Sequence, residues 1–365
     1  MSIILFFIIL LILVIVHEFG HFIVAKKFGI RVDEFGFGFP PRAMKLFKRG
    51  ETLFTLNWLP IGGFVKIFGE NPDDENTNGP DKARSFVNKP KRIQAAVLFA
   101  GVTFNFLLAW LLMSAGFMSG LPTSVGSEPK GAVLKDTSLV VVNVLKNSPA
   151  EIAGLKSGDK IISLSSGSVS VNELNPEILK DFVQSHPDKN IELNINHAGI
   201  AKSVTVVPKA STTGGKAAIG VALDMIGTLK LPIHKALWDG LKMTSILTVK
   251  TAVSLGSLVK DAVIGKADFS QVTGPVGIVG VVGDAYRFGW SYLISFMALI
   301  SINLTVINLI PFPALDGGRL LFLLIEKIKG SPIKPKIANA VNLIGFGLLI
   351  LLMVVVTYHD IVKLF

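Results

Sequence analysis

Cysteine is absent from the 365 residues. That excludes a disulfide framework, a thiolate zinc site and a cysteine nucleophile. It says little about compartment. Charge is also scarce: Asp, Glu, Lys and Arg make up 17% of the chain, against ~25% in a soluble domain. Apolar residues make up 50%, and the mean hydropathy is +0.58. So much apolar residue excludes a disordered chain. At ~150 residues per domain the length suggests about two domains. The uneven spread of the apolar residues argues against one soluble globule.

No basic residue precedes the first apolar run, residues 3–25, and no small-x-small cleavage site follows it. A signal peptide is therefore disfavoured. At ~1.5 Å rise per residue, ~20 residues cross a ~30 Å hydrocarbon core, so this run reads as a transmembrane helix. Residues 93–119, 290–310 and 337–357 read the same way. Residues 236–263 are interrupted by Asp239, Lys242, Lys250 and Lys260 and fit an amphipathic interfacial or buried helix better than a span. The expected fold class is a polytopic α-helical membrane protein of four transmembrane helices with an inserted β-rich domain.

The net charge of +10 comes with no nucleic-acid motif. Lys26, Lys27, Arg31, Lys89, Lys91 and Arg92 lie between spans one and two. Arg319, Lys327, Lys329, Lys334 and Lys336 lie between spans three and four. The positive-inside rule makes both loops cytoplasmic and leaves both termini, and the long insert between spans two and three, extracytoplasmic. The charge then reads as topology on a lipid bilayer, with no nucleic-acid partner.

The insert, residues 121–230, carries strand-like runs at 139–145, 160–164, 191–195 and 203–207. Between the first two lies N-S-P-A-E-I-A-G-L-K-S-G-D at 147–159. This segment resembles the S-P-A-x-x-A-G-L-x-x-G-D signature of PDZ domains, which add a peptide strand to a sheet edge. Binding of peptide C-termini is one expectation; a β-rich domain that only spaces or shields is the other.

Inside the first span, H-E-F-G-H places His17 and His21 at i and i+4, on one helix face, with Glu18 one residue round from His17. Two imidazoles there can reach one zinc ion, and Glu18 can take a proton from water. Ionisable groups in a span are costly, at least ~2.5–3.5 kcal/mol for a charged residue near the bilayer centre. A metal ion and a wet cavity would offset that cost. Two histidines leave a catalytic zinc one ligand short. Asp316, at the cytoplasmic end of span three in N-L-I-P-F-P-A-L-D-G-G-R, is the candidate third ligand. Its other reading is a cap on a short helix over residues 317–329.

These two motifs, in this order, resemble those of the site-2 protease family of intramembrane zinc metalloproteases, and the single PDZ insert is similar to the bacterial RseP type. P-I-G-G-F-V-K at 60–66, G-P-V-G-I at 274–278 and G-V-T-F-N at 101–105 also resemble family segments, the last with Val102 where proline is usual. The resemblance implies that His17, His21 and Asp316 bind one Zn2+ and that Glu18 is the general base. It implies that Asn303 and Asn308 lie near the active site, with Asn308 a candidate for hydrogen-bonding substrate backbone. Their other reading is helix–helix hydrogen bonding. It also implies, within the loop at 28–92, a membrane-associated β-hairpin-like element in residues 35–70 that dips towards the active site, where residues 51–57 alternate like a strand; an ordinary cytoplasmic loop is the other reading. Implied substrates are single-span membrane proteins, such as membrane-anchored anti-sigma factors or signal-peptide remnants. The implied location is the membrane of a bacterium or an organelle of bacterial descent.

The resulting division is span one at 1–27, a cytoplasmic loop at 28–92, span two at 93–120 and the PDZ domain at 121–230. An amphipathic linking region follows at 231–286, then span three at 287–311, a cytoplasmic loop at 312–336 and span four at 337–358. A zinc transporter would need polar residues continuing across the bilayer, and residues 3–16 offer none.

Overall fold

The chain begins with α1 (Ser2–Lys27), whose apolar length ends in Lys26 and Lys27. The structure is a computed structural model that describes residues 2–71, 73–129, 131–197, 199–210, 216–266 and 273–364. After α1 come two long strands, β1 (Val32–Arg49) and β2 (Thr52–Ile67), then α2 (Asp74–Asn78), a 3-10 turn (Lys82–Arg84) and α3 (Lys91–Ser119). The strand expected at 51–57 is thus part of a much longer hairpin. Phe35 pairs with Phe54 and also with Val65, so the strands bend in mid-length and pair at more than one place.

The insert follows as β3 (Leu121–Ser124), β4 (Leu134–Val144), α4 (Pro149–Ile152), β5 (Lys160–Ser166), β6 (Val169–Val171), α5 (Pro176–Ser185), β7 (Ile191–His197), β8 (Ile200–Val206), β9 (Lys209–Ala210), β10 (Ala217–Ala218) and β11 (Val221–Leu229). The C-terminal part is helical: α6 (Ile233–Val263), α7 (Pro275–Phe288), α8 (Trp290–Leu309), α9 (Asp316–Lys329) and α10 (Pro335–Leu364). Four described helices are long and apolar enough to cross a membrane: α1, α3, α8 and α10.

The chain divides into two units. The first holds residues 1–114, 240–286 and 293–365; the second holds 115–239 and 287–292. In the first, α1 and the hairpin share an aromatic cluster. Phe22 lies 5.6 Å from Phe35 and 5.9 Å from Phe54, ring centre to ring centre. Ala25, Ile30, Val32, Ile67, Val97 and Leu98 form the buried core beside it. Below the core, Glu51 is paired with Arg84 and Lys26, and Arg319 of α9 is paired with Glu70 just past β2. The Arg84 hydrogen bond holds the Glu51 carboxyl below the usual carboxylate range.

In the second unit the strand order is β3-β11-β4-β5-β7-β8, with β6 on β5. Its core is built from alternate residues of these strands, such as Leu139 and Val141 or Leu193 and Ile195, covered by Leu179, Phe182 and Val183 of α5. The S-P-A segment starts α4, with Ser148 accepting from the Glu151 N–H as N-cap. At the G-D turn Gly158 has φ +90, a conformation natural to glycine. Asp159 is buried, accepting from the Lys156 N–H and meeting His197 Nδ1 at 2.5 Å. The interior strand β11, between β3 and β4, lies outside the expected strand runs.

Candidate metal centre

Helical spacing puts His17 and His21 on one face of α1, and both are buried, at 8% and 6% exposure. Their Nε2 atoms are 3.2 Å apart. Asp316 comes from far along the chain. The stretch after α8 cannot remain helical through Pro311 and Pro313. Ala314 there takes φ +73, and its N–H donates to Asn342 Oδ1 of α10 at 3.2 Å. That turn delivers Asp316 as the first residue of α9. Leu315 is the N-cap, with no side-chain capping bond, so the capping role considered for Asp316 is not what its carboxylate does. Asp316 Oδ2 lies 3.0 Å from His17 Nε2 and 3.3 Å from His21 Nε2.

These separations suit a metal. Two ligand atoms at ~2.0–2.1 Å from zinc in a tetrahedral arrangement are roughly 3.3 Å apart. The hydrogen-bond chemistry points the same way. His21 Nδ1 is 2.8 Å from the Val97 carbonyl, which can only accept, so Nδ1 carries the hydrogen. Neutral His21 then turns a lone pair on Nε2 towards Asp316 Oδ2, a buried atom whose near neighbours are these two ring nitrogens. Lone pairs facing each other at this distance repel unless a proton or a metal cation lies among them. Among the described residues, His17, His21 and Asp316 are the group of His, Asp and Glu side chains whose ligand atoms converge, all within 4.8 Å.

Glu18 lies beside β2: a Cβ built on Gly63 would be 3.9 Å from Glu18 Cγ. The hairpin therefore passes next to the acid. The two asparagines are placed differently. Asn308 is half-buried in the last turn of α8. Asn303 lines a groove between α8 and α6, with Lys250, Ser254 and Asp261. Neither belongs to the converging group.

Two site neighbours come from α3. Asn105 is fully buried and its Nδ2 lies 3.2 Å from His17 Nδ1. A Cβ on Gly101 would lie 2.4 Å from His21 Nε2 and 2.7 Å from His17 Nε2. In the sequence both are visible only as the ends of G-V-T-F-N. Their four-residue spacing puts them on one face of α3, turned towards α1.

Comparison with known proteins gives the same picture. The model of Peptidase family M50 matches residues 5–352. The zinc metalloprotease RasP of Geobacillus kaustophilus is 31% identical over 442 residues, covering 100% of this chain and 98% of that one. The regulator of sigma-W protease RasP of Bacillus subtilis is 28% identical over 446 residues, covering 100% and 99%. The solved PDZ domain of an SdrC-like protein from Listeria monocytogenes is 20% identical, covers 24% of this chain and 86% of that one, and has a TM-score of 0.21. With a family match along nearly the whole length and zinc metalloproteases as end-to-end relatives, the chain belongs to Peptidase family M50 and is a zinc-dependent metalloprotease.

Proposed function

We propose that this protein cuts single-span membrane proteins within or near their transmembrane segment, using one zinc ion held by His17, His21 and Asp316. The supporting observation is the convergence of those three side chains, with Glu18 next to His17 on a helix apolar enough to cross a membrane. Zinc, when bound, supplies Lewis acidity that acidifies water and polarises a carbonyl. Glu18 accepts the proton shed by the attacking water and returns it to the leaving nitrogen. The hairpin offers backbone to which an unwound substrate segment adds as a strand. Asn308 and Asn303 are proposed to hold substrate backbone, Asn303 from the α6–α8 groove.

The sigma-W relative's name makes membrane-anchored anti-sigma factors the first substrates to try, with signal-peptide remnants second. By the positive-inside argument the termini and the β-rich insert face outward and the metal centre lies nearer the cytoplasm. The insert, read as a PDZ domain, either binds peptide C-termini or acts as a size filter on substrates.

The test is Glu18→Gln in the full chain in liposomes. Zinc content should stay at the wild-type level while cleavage of a single-span substrate is lost. Retained cleavage overturns the base assignment. Deletion of residues 121–230 tests the filter, which requires that an untrimmed substrate then be cut; continued refusal removes the idea.

A further inference from the structure

The G-V-T-F-N segment of α3 has no role in the mechanism above, yet both of its ends touch the metal centre. Gly101 leaves the room into which the two Nε2 atoms project. One helical turn later, Asn105 reaches the far side of the His17 ring. Asn105 is 0% exposed. Its backbone carbonyl accepts from Ser301 Oγ of α8 at 2.8 Å, so the residue is fixed between two helices. Its side-chain nitrogen lies 3.2 Å from His17 Nδ1, and its Oδ1 is buried with no partner.

A neutral imidazole carries one hydrogen. Were Nδ2 to donate to Nδ1, that hydrogen would sit on Nε2, aimed at Asp316 Oδ2, and His17 could not bind metal through Nε2. The two ends of an amide are alike in shape, and their hydrogen bonds decide which is which. No donor holds Oδ1 where it lies, so half a turn of the amide sacrifices no hydrogen bond. It sets Oδ1 against an Nδ1–H and leaves the Nε2 lone pair free. His21 already has this arrangement, with the Val97 carbonyl as acceptor.

We propose that Asn105 is a positioning residue: its side-chain oxygen accepts the His17 Nδ1 hydrogen, fixing the tautomer and ring angle that present Nε2 to zinc. The proposal rests on the metal-centre reading above. It makes His17 and His21 a matched pair, one oriented by a side chain and one by a backbone carbonyl, both supplied by α3. Removing such an outer partner typically lowers metal affinity ~10–100-fold.

The experiment measures zinc affinity by chelator competition on the purified full chain, for wild type, Asn105→Leu and Asn105→Asp. Leu is similar in size but cannot accept a hydrogen bond, and should bind ~10–100-fold more weakly. Asp can accept but cannot donate, and should bind at least as tightly as wild type. In parallel, 15N-histidine NMR of the zinc-loaded wild type should show His17 protonated at Nδ1 and metal-bound at Nε2; this needs no variant to fold. Equal losses in Leu and Asp, an unchanged affinity in Leu, or a His17 metal-bound at Nδ1 overturns the proposal. A wild type that binds no zinc overturns the metal-centre reading itself.

Discussion

Gly101→Ala is the sharpest perturbation the geometry offers. The added Cβ would fall 2.4 Å from His21 Nε2 and 2.7 Å from His17 Nε2, where ordinary contacts are 3.4–4 Å. Relief therefore requires movements of about 1.0 and 0.7 Å. Neither ring is free to give way. His21 is tied to the Val97 carbonyl on the same helix that carries residue 101. His17 has Asn105 behind it. The backbones of α1 and α3 are in close approach one turn away, where a Cβ on Gly20 would lie 2.5 Å from the Ala100 carbonyl oxygen, so parting the helices would undo that packing. A zinc site tolerates ligand displacements of only ~0.2 Å. A 1 Å misplacement of a catalytic constellation costs ~100-fold in rate, equivalent to about 2.7 kcal/mol. Gly101→Ala should therefore lower zinc affinity and cleavage at least ~100-fold, with the helical content kept. The assay is zinc per protein by mass spectrometry, chelator competition and cleavage in liposomes. Thr103→Ala on the exposed side of α3 is the control and should behave as wild type. A Gly101→Ala protein that binds zinc as wild type does would refute the reasoning, because the space it claims would not be the space the metal needs.

Three further outcomes follow from other contacts. Asp316→Asn replaces the charged ligand by a neutral amide and should lower the zinc content of the purified protein; unaltered content would point to a different third ligand. Glu51 has its pKa held down by Arg84 and Lys26, so its contribution to stability is present above the ordinary carboxylate value of ~4.3 and is lost as pH falls through the lower native value. The difference in thermal midpoint between wild type and Glu51→Gln should therefore shrink below about pH 4.3, and a difference that is constant with pH counts against the pairing. Asp360 is buried and accepts from the Gly274 N–H at 3.0 Å and the Gly277 N–H at 2.9 Å, capping the start of α7 from near the end of α10. Two charge-assisted bonds at ~1.5 kcal/mol each give Asp360→Ala a loss of roughly 3 kcal/mol, read as unfolding in detergent; an unchanged midpoint rejects the cap.

Residue order shows some of this and conceals the rest, for physical reasons. H-E-F-G-H is legible because its chemistry lies within one helical turn, where spacing alone fixes which side chains share a face. Asp316 is legible as a candidate because two prolines and two glycines mark the chain break that carries it. Asn105 is harder: an asparagine in an apolar helix reads equally as a helix–helix contact, and only the fold shows that it faces His17. Asp360 gives no local signal, since the N-terminus it caps is 83 to 86 residues away. The hairpin is legible through the family resemblance, but its strands are not read one by one, because Gly36, Gly38, Pro40 and Pro41 break the alternation of β1 and its register slips repeatedly. β11 is hidden in the same way, with irregular register between Ala222 and Leu223 and between Ile226 and Thr228.

The metal centre and the hairpin depend on one another through α1. On one side Gly20 lets the backbone of α3 approach, which brings Val97, Gly101 and Asn105 to the histidines. On the other side Gly63 lets β2 approach, with Ile15 and Glu18 as its nearest side chains on α1. Small residues permit such approach because no Cβ stands between the backbones. The helix is thus held from both faces over the turn that carries the motif. Its acid faces the strand and its imidazoles face the opposite helix and Asp316. That division separates the two tasks of the proposed reaction. Holding a metal requires rigid ligands away from moving parts, and α3 and α9 provide the partners. Accepting an extended peptide requires strand backbone beside the base, and the hairpin passes next to Glu18. A bulky residue at position 20 would disturb the first task and one at position 63 the second. Zinc affinity should therefore fall in the first case, while in the second it is retained as substrate binding weakens.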